Sequence, residues 1–181
     1  MSGKLELIIG PMCSGKSSEL IRRIRLFNII NKKVLVIKPQ IDTRYIDNKI
    51  TSHNFESVDC ITLNKLNDLN YDKTIDVIII DEGQFFNDLK STILNWLNKY
   101  NIHIIVAGLD GDFERNPIGE ILALIPHAEK CYKINSLCGI CKDGTDACFT
   151  FRKAESKNVI LIGGTDIYIP VCRKHYTELN K

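Results

Sequence analysis

The stretch Gly10-Pro11-Met12-Cys13-Ser14-Gly15-Lys16-Ser17 matches G-x-x-x-x-G-K-[ST] at every fixed position. A loop of this kind turns backbone N–H groups toward the phosphates of a nucleotide, while its lysine reaches the terminal phosphates and its hydroxyl reaches Mg²⁺. The motif constrains the fold because it works only between a strand and a helix whose N-terminus faces the anion. Both neighbours are legible. The apolar run Leu5 to Ile9 precedes the loop, and Ser18 to Ile30 follows it as a helix with Leu20, Ile24 and Phe27 on one face. Arg22, Arg23 and Arg25 fall largely off that face and read as its solvated side.

Four more apolar segments read as strands: Val34 to Ile37, Asp76 to Ile80, His103 to Ala107 and Asn158 to Ile162. Short β-branched runs suit the interior of a parallel sheet covered on both faces. A helix from Asn87 to Tyr100, with Leu89, Ile93, Trp96, Leu97 and Tyr100 on its apolar stripe, separates the second and third of them. The predicted class is therefore α/β: a P-loop NTPase-type parallel sheet flanked by helices, with the phosphate loop at the carboxyl ends of the strands. With 181 residues, 44% of them hydrophobic, the chain suits one core and a small appendage. Its texture changes after about residue 130, with Cys, Gly, Asp and Thr dense between 138 and 150, so we divide it into 1–130 and 131–181.

The net charge of +2 gives no long-range argument for nucleic acid or an anionic membrane as partner. The first residues lack a signal-peptide pattern, and no apolar run approaches the ~20 residues that span a bilayer. The expected location is the cytoplasm. In a reducing compartment seven cysteines do not make a disulfide framework, and metal binding is the better use for some of them.

Two further sites follow from spacing. Asp81 and Glu82 end an apolar strand, which delivers acids to the sheet edge that carries the phosphate loop; Asp81 is placed to hold Mg²⁺. Glu82 then either orients an attacking water, as in an ATPase or switch, or takes a proton from an acceptor hydroxyl, and the residues alone leave both open. Cys138-Gly139-Ile140-Cys141 and Cys172-Arg173-Lys174-His175 are two knuckles with the same spacing, together a closed Cys₃His set for a structural zinc ion. The segment between them, from Cys141 to Cys172, carries two extended stretches and a glycine pair suited to closing over a small planar ligand.

The ordered set of motifs resembles the type II thymidine kinases, a family of vertebrate cytosolic, poxviral and bacterial enzymes. The residues that carry the resemblance are Gly10 to Met12 with Ser14 to Ser17, Lys38-Pro39 with Asp42-Thr43-Arg44-Tyr45, Asp81 to Phe86, Gly108 to Phe113, the two knuckles, and Gly163-Gly164 ahead of Tyr168. It implies transfer of the γ-phosphoryl of ATP, with Mg²⁺, to the 5′-hydroxyl of thymidine and of deoxyuridine, in nucleotide salvage. It also implies dTTP as feedback inhibitor and a homotetramer. It makes Glu82 the proton acceptor, with Lys16 and Arg44 as its catalytic companions, and it assigns Asp42, Arg44, Asp81 and Gln84, with the phosphate loop, to ATP and Mg²⁺. Thymidine would be held by Met12, Leu109, Phe113, Thr150, Gly163, Tyr168 and the lasso segment Val159, Ile160, Leu161 and Ile162. Two positions depart from the family pattern: Cys13 where Phe is usual, and Asp112, which adds a negative charge near the acceptor site. His175 in place of a fourth cysteine is a family variant.

Overall fold

A computed structural model gives the architecture of residues 3–42, 48–51, 56–70, 72–154, 163–164 and 166–181. In chain order the elements are β1 (Lys4–Ile9), α1 (Lys16–Ile29), β2 (Val34–Pro39), β3 (Lys49–Thr51), β4 (Ser57–Asp59), β5 (Ile61–Leu63), β6 (Val77–Ile80), α2 (Leu89–Lys99), β7 (His103–Gly108), β8 (Lys130–Lys133), β9 (Ser136–Leu137), β10 (Asp146–Ala147), β11 (Phe149–Arg152), β12 (Tyr168–Val171) and α3 (Arg173–Leu179). Short 3₁₀ turns occupy Leu66–Asp68, Gly83–Phe85 and Ile121–His127.

Six strands form one sheet in the order β5-β2-β6-β7-β1-β8. Every pairing in it is parallel. Period-two alternation sorts each strand between two cores. Leu5, Leu7 and Ile9 of β1, Ile78 and Ile80 of β6, and Ile104 and Val106 of β7 face the side covered by α2, where Leu89, Ile93 and Trp96 pack. Ile8, Ile79, Ile105 and Ala107 face the side covered by α1, where Leu20, Ile21 and Ile24 pack. The α/β reading and both helices hold, with α1 beginning at Lys16 rather than Ser18.

Parallel pairing brings the carboxyl ends of β1, β2, β6 and β7 to one edge of the sheet. Ile9 pairs with Gly108, Ile80 with Val106 and Ile37 with Ile80, so the residues that follow them emerge side by side.

Two sheet strands escape apolar-run reading. β5 is three residues long, and β8 reads Lys130-Cys131-Tyr132-Lys133, exposed along its length at the sheet margin. The sheet thus continues through Lys133, and the N–H of Ile134 still donates to the Ile9 carbonyl at 2.9 Å. The predicted strand Asn158 to Ile162 lies outside the described residues.

Arg23 corrects the reading of a solvated arginine cluster. Arg22 and Arg25 leave 61% and 59% of their side chains exposed, but Arg23 leaves 12% and pairs with buried Glu6 at 2.6 Å. Glu6 sits among the residues of β1 that face α1, where an unpaired carboxylate would be costly, and Arg23 on the inner flank of the helix answers it.

Beyond β8 the chain forms two antiparallel pairs, β9 with β10 and β11 with β12. Cys138, Ala147, Val171, Cys172 and Tyr176 make a separate small core there, with Phe149, Phe151 and Ile169 packed on it.

Candidate active site

Gly10 and Gly15 shape the loop after β1 for different reasons. A side chain at Gly10 would collide with the Ile134 carbonyl oxygen, whereas Gly15 adopts φ +83°, a left-handed conformation that glycine takes without strain. Cys13 also lies in the left-handed region, at φ 59°, and its carbonyl accepts a hydrogen bond from the Ser136 hydroxyl at 2.9 Å. That position contributes backbone, so cysteine in place of phenylalanine leaves the loop intact. Lys16 is buried, its ammonium donating to the carbonyls of Pro11 at 2.7 Å and Gly10 at 3.2 Å.

The hydroxyl of Ser17, at the start of α1, donates to Asp81 Oδ2 at 3.0 Å, which joins the loop to the end of β6. A hydroxyl and a carboxylate oxygen in contact are the hard donors that Mg²⁺ takes from a protein, so this pair fits the ion. Lys38, Asp42 and Asp81 share one buried neighbourhood. Its mark is the Cys60 thiol, which burial pushes up to about 11, opposed by Lys38 and reinforced by Asp81, Asp59 and Asp42. Arg44 lies outside the described residues.

Glu82 is buried and left-handed at φ 51°, a conformation costing a non-glycine residue roughly 1–2 kcal/mol. Its N–H donates to Asp81 Oδ1 at 3.0 Å, and its Oε2 accepts from Gln84 Nε2 at 2.6 Å. The other end of the Gln84 amide accepts the Leu109 N–H at 3.0 Å. Gln84 therefore faces the neighbouring acid and the β7 loop.

Of the residues assigned to the acceptor, Met12 and Thr150 touch directly and Phe113, Gly163 and Tyr168 are held by neighbours. The Met12 N–H donates to Thr150 Oγ1 at 3.0 Å. Phe113 lies under the Arg152 guanidinium, 3.5 Å from its ring centroid, and Arg152 stands opposite Tyr168 in the β11–β12 register. The Phe113 carbonyl accepts from the Tyr176 hydroxyl at 2.7 Å. Gly163 packs against Ile167, and the Tyr168 N–H donates to the Gly164 carbonyl. Val159, Ile160, Leu161 and Ile162 lie outside the described residues.

Asp112 is spent on its own loop, accepting the N–H groups of Glu114 and Asn116, each at 2.8 Å. Its extra charge thus acts as a turn acceptor. Arg152 and Tyr176 are the contributors that motif reading missed. The signal for Arg152 was the two-residue period of β11, which buries Thr150 and Arg152 on one face.

The donor atoms of Cys138, Cys141, Cys172 and His175 all lie within 4.8 Å of one another. His175 Nδ1 stands 3.5, 3.4 and 3.3 Å from the three sulfurs, and Cys141 Sγ is 3.8 Å from Cys172 Sγ. Zinc–ligand bonds of about 2.3 Å to sulfur and 2.0–2.1 Å to nitrogen in a tetrahedron place ligands roughly 3.5–3.8 Å apart. The four fit zinc. Burial pushes the Cys138 thiol up, but backbone N–H groups of Cys141, Cys172 and Ile140, with His175, outweigh it and bring it down to about 6, while burial and the adjacent Cys138 and Cys172 push Cys141 up to about 11, so a thiolate is favoured first at Cys138.

A parallel sheet with a phosphate loop after one strand and paired acids after another, with β7 between the two, defines a P-loop phosphate-handling protein, here with a Cys₃His appendage. The profile of the family described as "Thymidine kinase" matches residues 3–176. The chain is 43% identical to "Thymidine kinase" of Yaba monkey tumor virus over 180 residues, 99% of this chain and 97% of that one. It is 42% identical to "Thymidine kinase" of Amsacta moorei entomopoxvirus, covering 96% and 98% of the two chains. To "Thymidine kinase 1" of Dictyostelium discoideum it is 41% identical, covering 98% and 79%. The chain belongs to the thymidine kinase family.

Proposed function

We propose that the chain transfers the γ-phosphoryl of ATP to the 5′-hydroxyl of thymidine, with deoxyuridine as a second acceptor, yielding dTMP for nucleotide salvage. The observation that carries this reading is the division of labour between adjacent acids. Asp81 is joined to Ser17 of the phosphate loop, while Glu82, on a left-handed backbone, is held by Gln84.

In this reading Ser17 and Asp81 would hold Mg²⁺, which would offset the charge of the donor phosphates. Lys16 exchanges loop carbonyls for phosphate oxygens, and Asp42 and Arg44 flank them. Glu82 accepts the 5′-hydroxyl proton as that oxygen bonds to the γ-phosphorus and the β–γ bridging oxygen leaves with ADP. Phe113 stacks on the thymine ring, with Met12, Leu109, Thr150, Gly163, Tyr168 and residues 159–162 around it. Zinc on Cys138, Cys141, Cys172 and His175 is structural, because four protein ligands leave no open position.

The reading extends to dTTP as a feedback inhibitor at the acceptor site and to a cytoplasmic homotetramer. Assembly is supported by apolar Leu26, Ile29 and Ile30, 50%, 74% and 62% exposed on α1 and its cap. No described helix is long and apolar enough to cross a membrane.

A panel of nucleosides with ATP and Mg²⁺ should give monophosphate from thymidine and deoxyuridine. Glu82→Gln should lower turnover by about 10²–10⁴-fold while ATP still binds. Near-parental thymidine phosphorylation by that variant sinks the assignment. ATP hydrolysis indifferent to thymidine would make the protein a P-loop ATPase or switch instead.

A further inference from the structure

We propose that Gln84 is a positioning residue: it fixes the Glu82 carboxylate for proton acceptance and ties it to the loop that opens at Leu109. This rests on Glu82 being the proton acceptor, and it adds how that group is held and what it is coupled to.

The orientation of the Gln84 amide is forced by its partners. The Leu109 N–H can only donate, so the amide oxygen must face it, at 3.0 Å, and the amide NH₂ is left to face Glu82, at 2.6 Å. Both ends of this buried amide are therefore engaged within the protein. One of the two amide hydrogens is thereby committed to Glu82, and the amide oxygen to the main chain of Leu109.

The surroundings keep the amide where it is. A side chain at Gly108 would strike the amide oxygen of Gln84, and one at Gly119 would strike its main-chain carbonyl, with Gly119 itself left-handed at φ +60°. Glycine at both places lets two backbone segments close on Gln84, which leaves the side chain little room to swing. Glu82 is constrained from its own side by the N–H it donates to Asp81. Its main chain is thus tied to Asp81 and its carboxylate to Gln84.

The coupling has a direction. Leu109 begins the loop whose Phe113 carries the Arg152 contact and the Tyr176 hydrogen bond. Through Gln84, the group that takes the proton and the loop assigned to the base share a single buried amide. Proton acceptance demands heavy-atom placement within hydrogen-bond reach of the reacting hydroxyl, so displacement of about 1 Å is expensive in rate.

Two substitutions separate the two ends. Gln84→Met keeps the volume and removes both bonds; Gln84→Glu keeps an oxygen for the Leu109 N–H and removes the donor to Glu82. Both should lower kcat about 10- to 100-fold with the KM for ATP within about two-fold of the parent. The KM for thymidine should rise with Gln84→Met and stay near the parental value with Gln84→Glu. In a Glu82→Gln background, Gln84→Met should cost almost nothing further, since there is no carboxylate left to hold.

A raised KM for ATP with kcat intact overturns the proposal and returns Gln84 to the nucleotide. So does a kcat within about two-fold of the parent in Gln84→Met, or a fully additive loss in the double variant. Cooperative melting is followed for each variant; if both single variants lose it, Gln84 serves the fold and the proposal is likewise overturned. Full turnover by Glu82→Gln alone refutes the proton-acceptor reading itself, a result separate from anything Gln84 does.

Discussion

Replacing Thr150 by valine preserves the branched shape on β11 but takes away the oxygen that accepts the Met12 N–H. A neutral hydrogen bond of this kind contributes about 1 kcal/mol, and it acts on the backbone of the phosphate loop itself. Thr150→Val should therefore raise the KM for ATP about five-fold and lower the melting temperature by roughly 2–4 °C, read by initial rates and calorimetry. An unchanged KM for ATP would show that the loop holds its shape without this tie. Single residues also mark where sequence reasoning stops. The fixed positions of the phosphate loop, Asp81 and the four clustered Cys and His side chains stand out in the sequence because the chemistry expected of them demands a type at a spacing. Gln84 is not, because its role depends on which way an amide faces. Arg23 is not, because the carboxylate it answers lies 17 residues away on a strand.

At the scale of elements, β1, α1 and β7 meet in a charged junction that predicts acid sensitivity. His103 Nε2 lies 3.1 Å from Glu6 Oε1, and Glu6 also pairs with Arg23 and Lys4. Burial pushes His103 below its usual value near 6.5; the Glu6 carboxylate pulls the other way, and Lys4 and Arg23 oppose charging. With the folded value depressed, the unfolded chain takes up the proton first, so this contribution is full above 6.5 and is lost as pH falls below it. Glu19 follows in a lower window. The hydrogen bond from Arg22 leads the causes that hold it at about 2, against burial and with help from Arg23, so its contribution is present above about 4.5 and fades toward 2. Melting temperature followed from pH 7 down to pH 3 should fall in two stages, and His103→Gln should flatten the upper one alone. A parental profile in that variant removes His103 as the cause. Among elements, the helices and the inner strands are legible because burial on one or both faces enforces a period. β5 and β8 are not: at the margins of the sheet, hydrogen bonding to a neighbour places a strand without requiring an apolar side chain.

For the whole molecule, the decisive question is how a small zinc-ligand region is joined to a large sheet. Its core of five buried residues is small for a segment of this length, and a metal held by Cys138, Cys141, Cys172 and His175 would add to its stability. Yet it is not an independent appendage. The Met12 N–H reaches Thr150, the Ser136 hydroxyl reaches Cys13, and the Tyr176 hydroxyl reaches Phe113, so polar ties run to the phosphate loop and to the β7 loop alike. Arg152 stacks on Phe113 across the same divide. The parallel sheet has its own two cores and lacks such dependence. Stripping zinc with a chelator, or Cys172→Ser, should therefore split unfolding into two steps, with the sheet melting near its original temperature and the region from Ser136 onward lost earlier. The KM for thymidine should rise at least ten-fold, because the residues of β11 and β12 proposed to hold the acceptor lose their clamp, while the KM for ATP rises about as much as in Thr150→Val, through the lost ties to the loop. Restoring zinc to the stripped protein should recover both, and should fail to do so in Cys172→Ser. A single unaltered transition with full activity after metal removal would mean that the small core and its ties suffice without the ion.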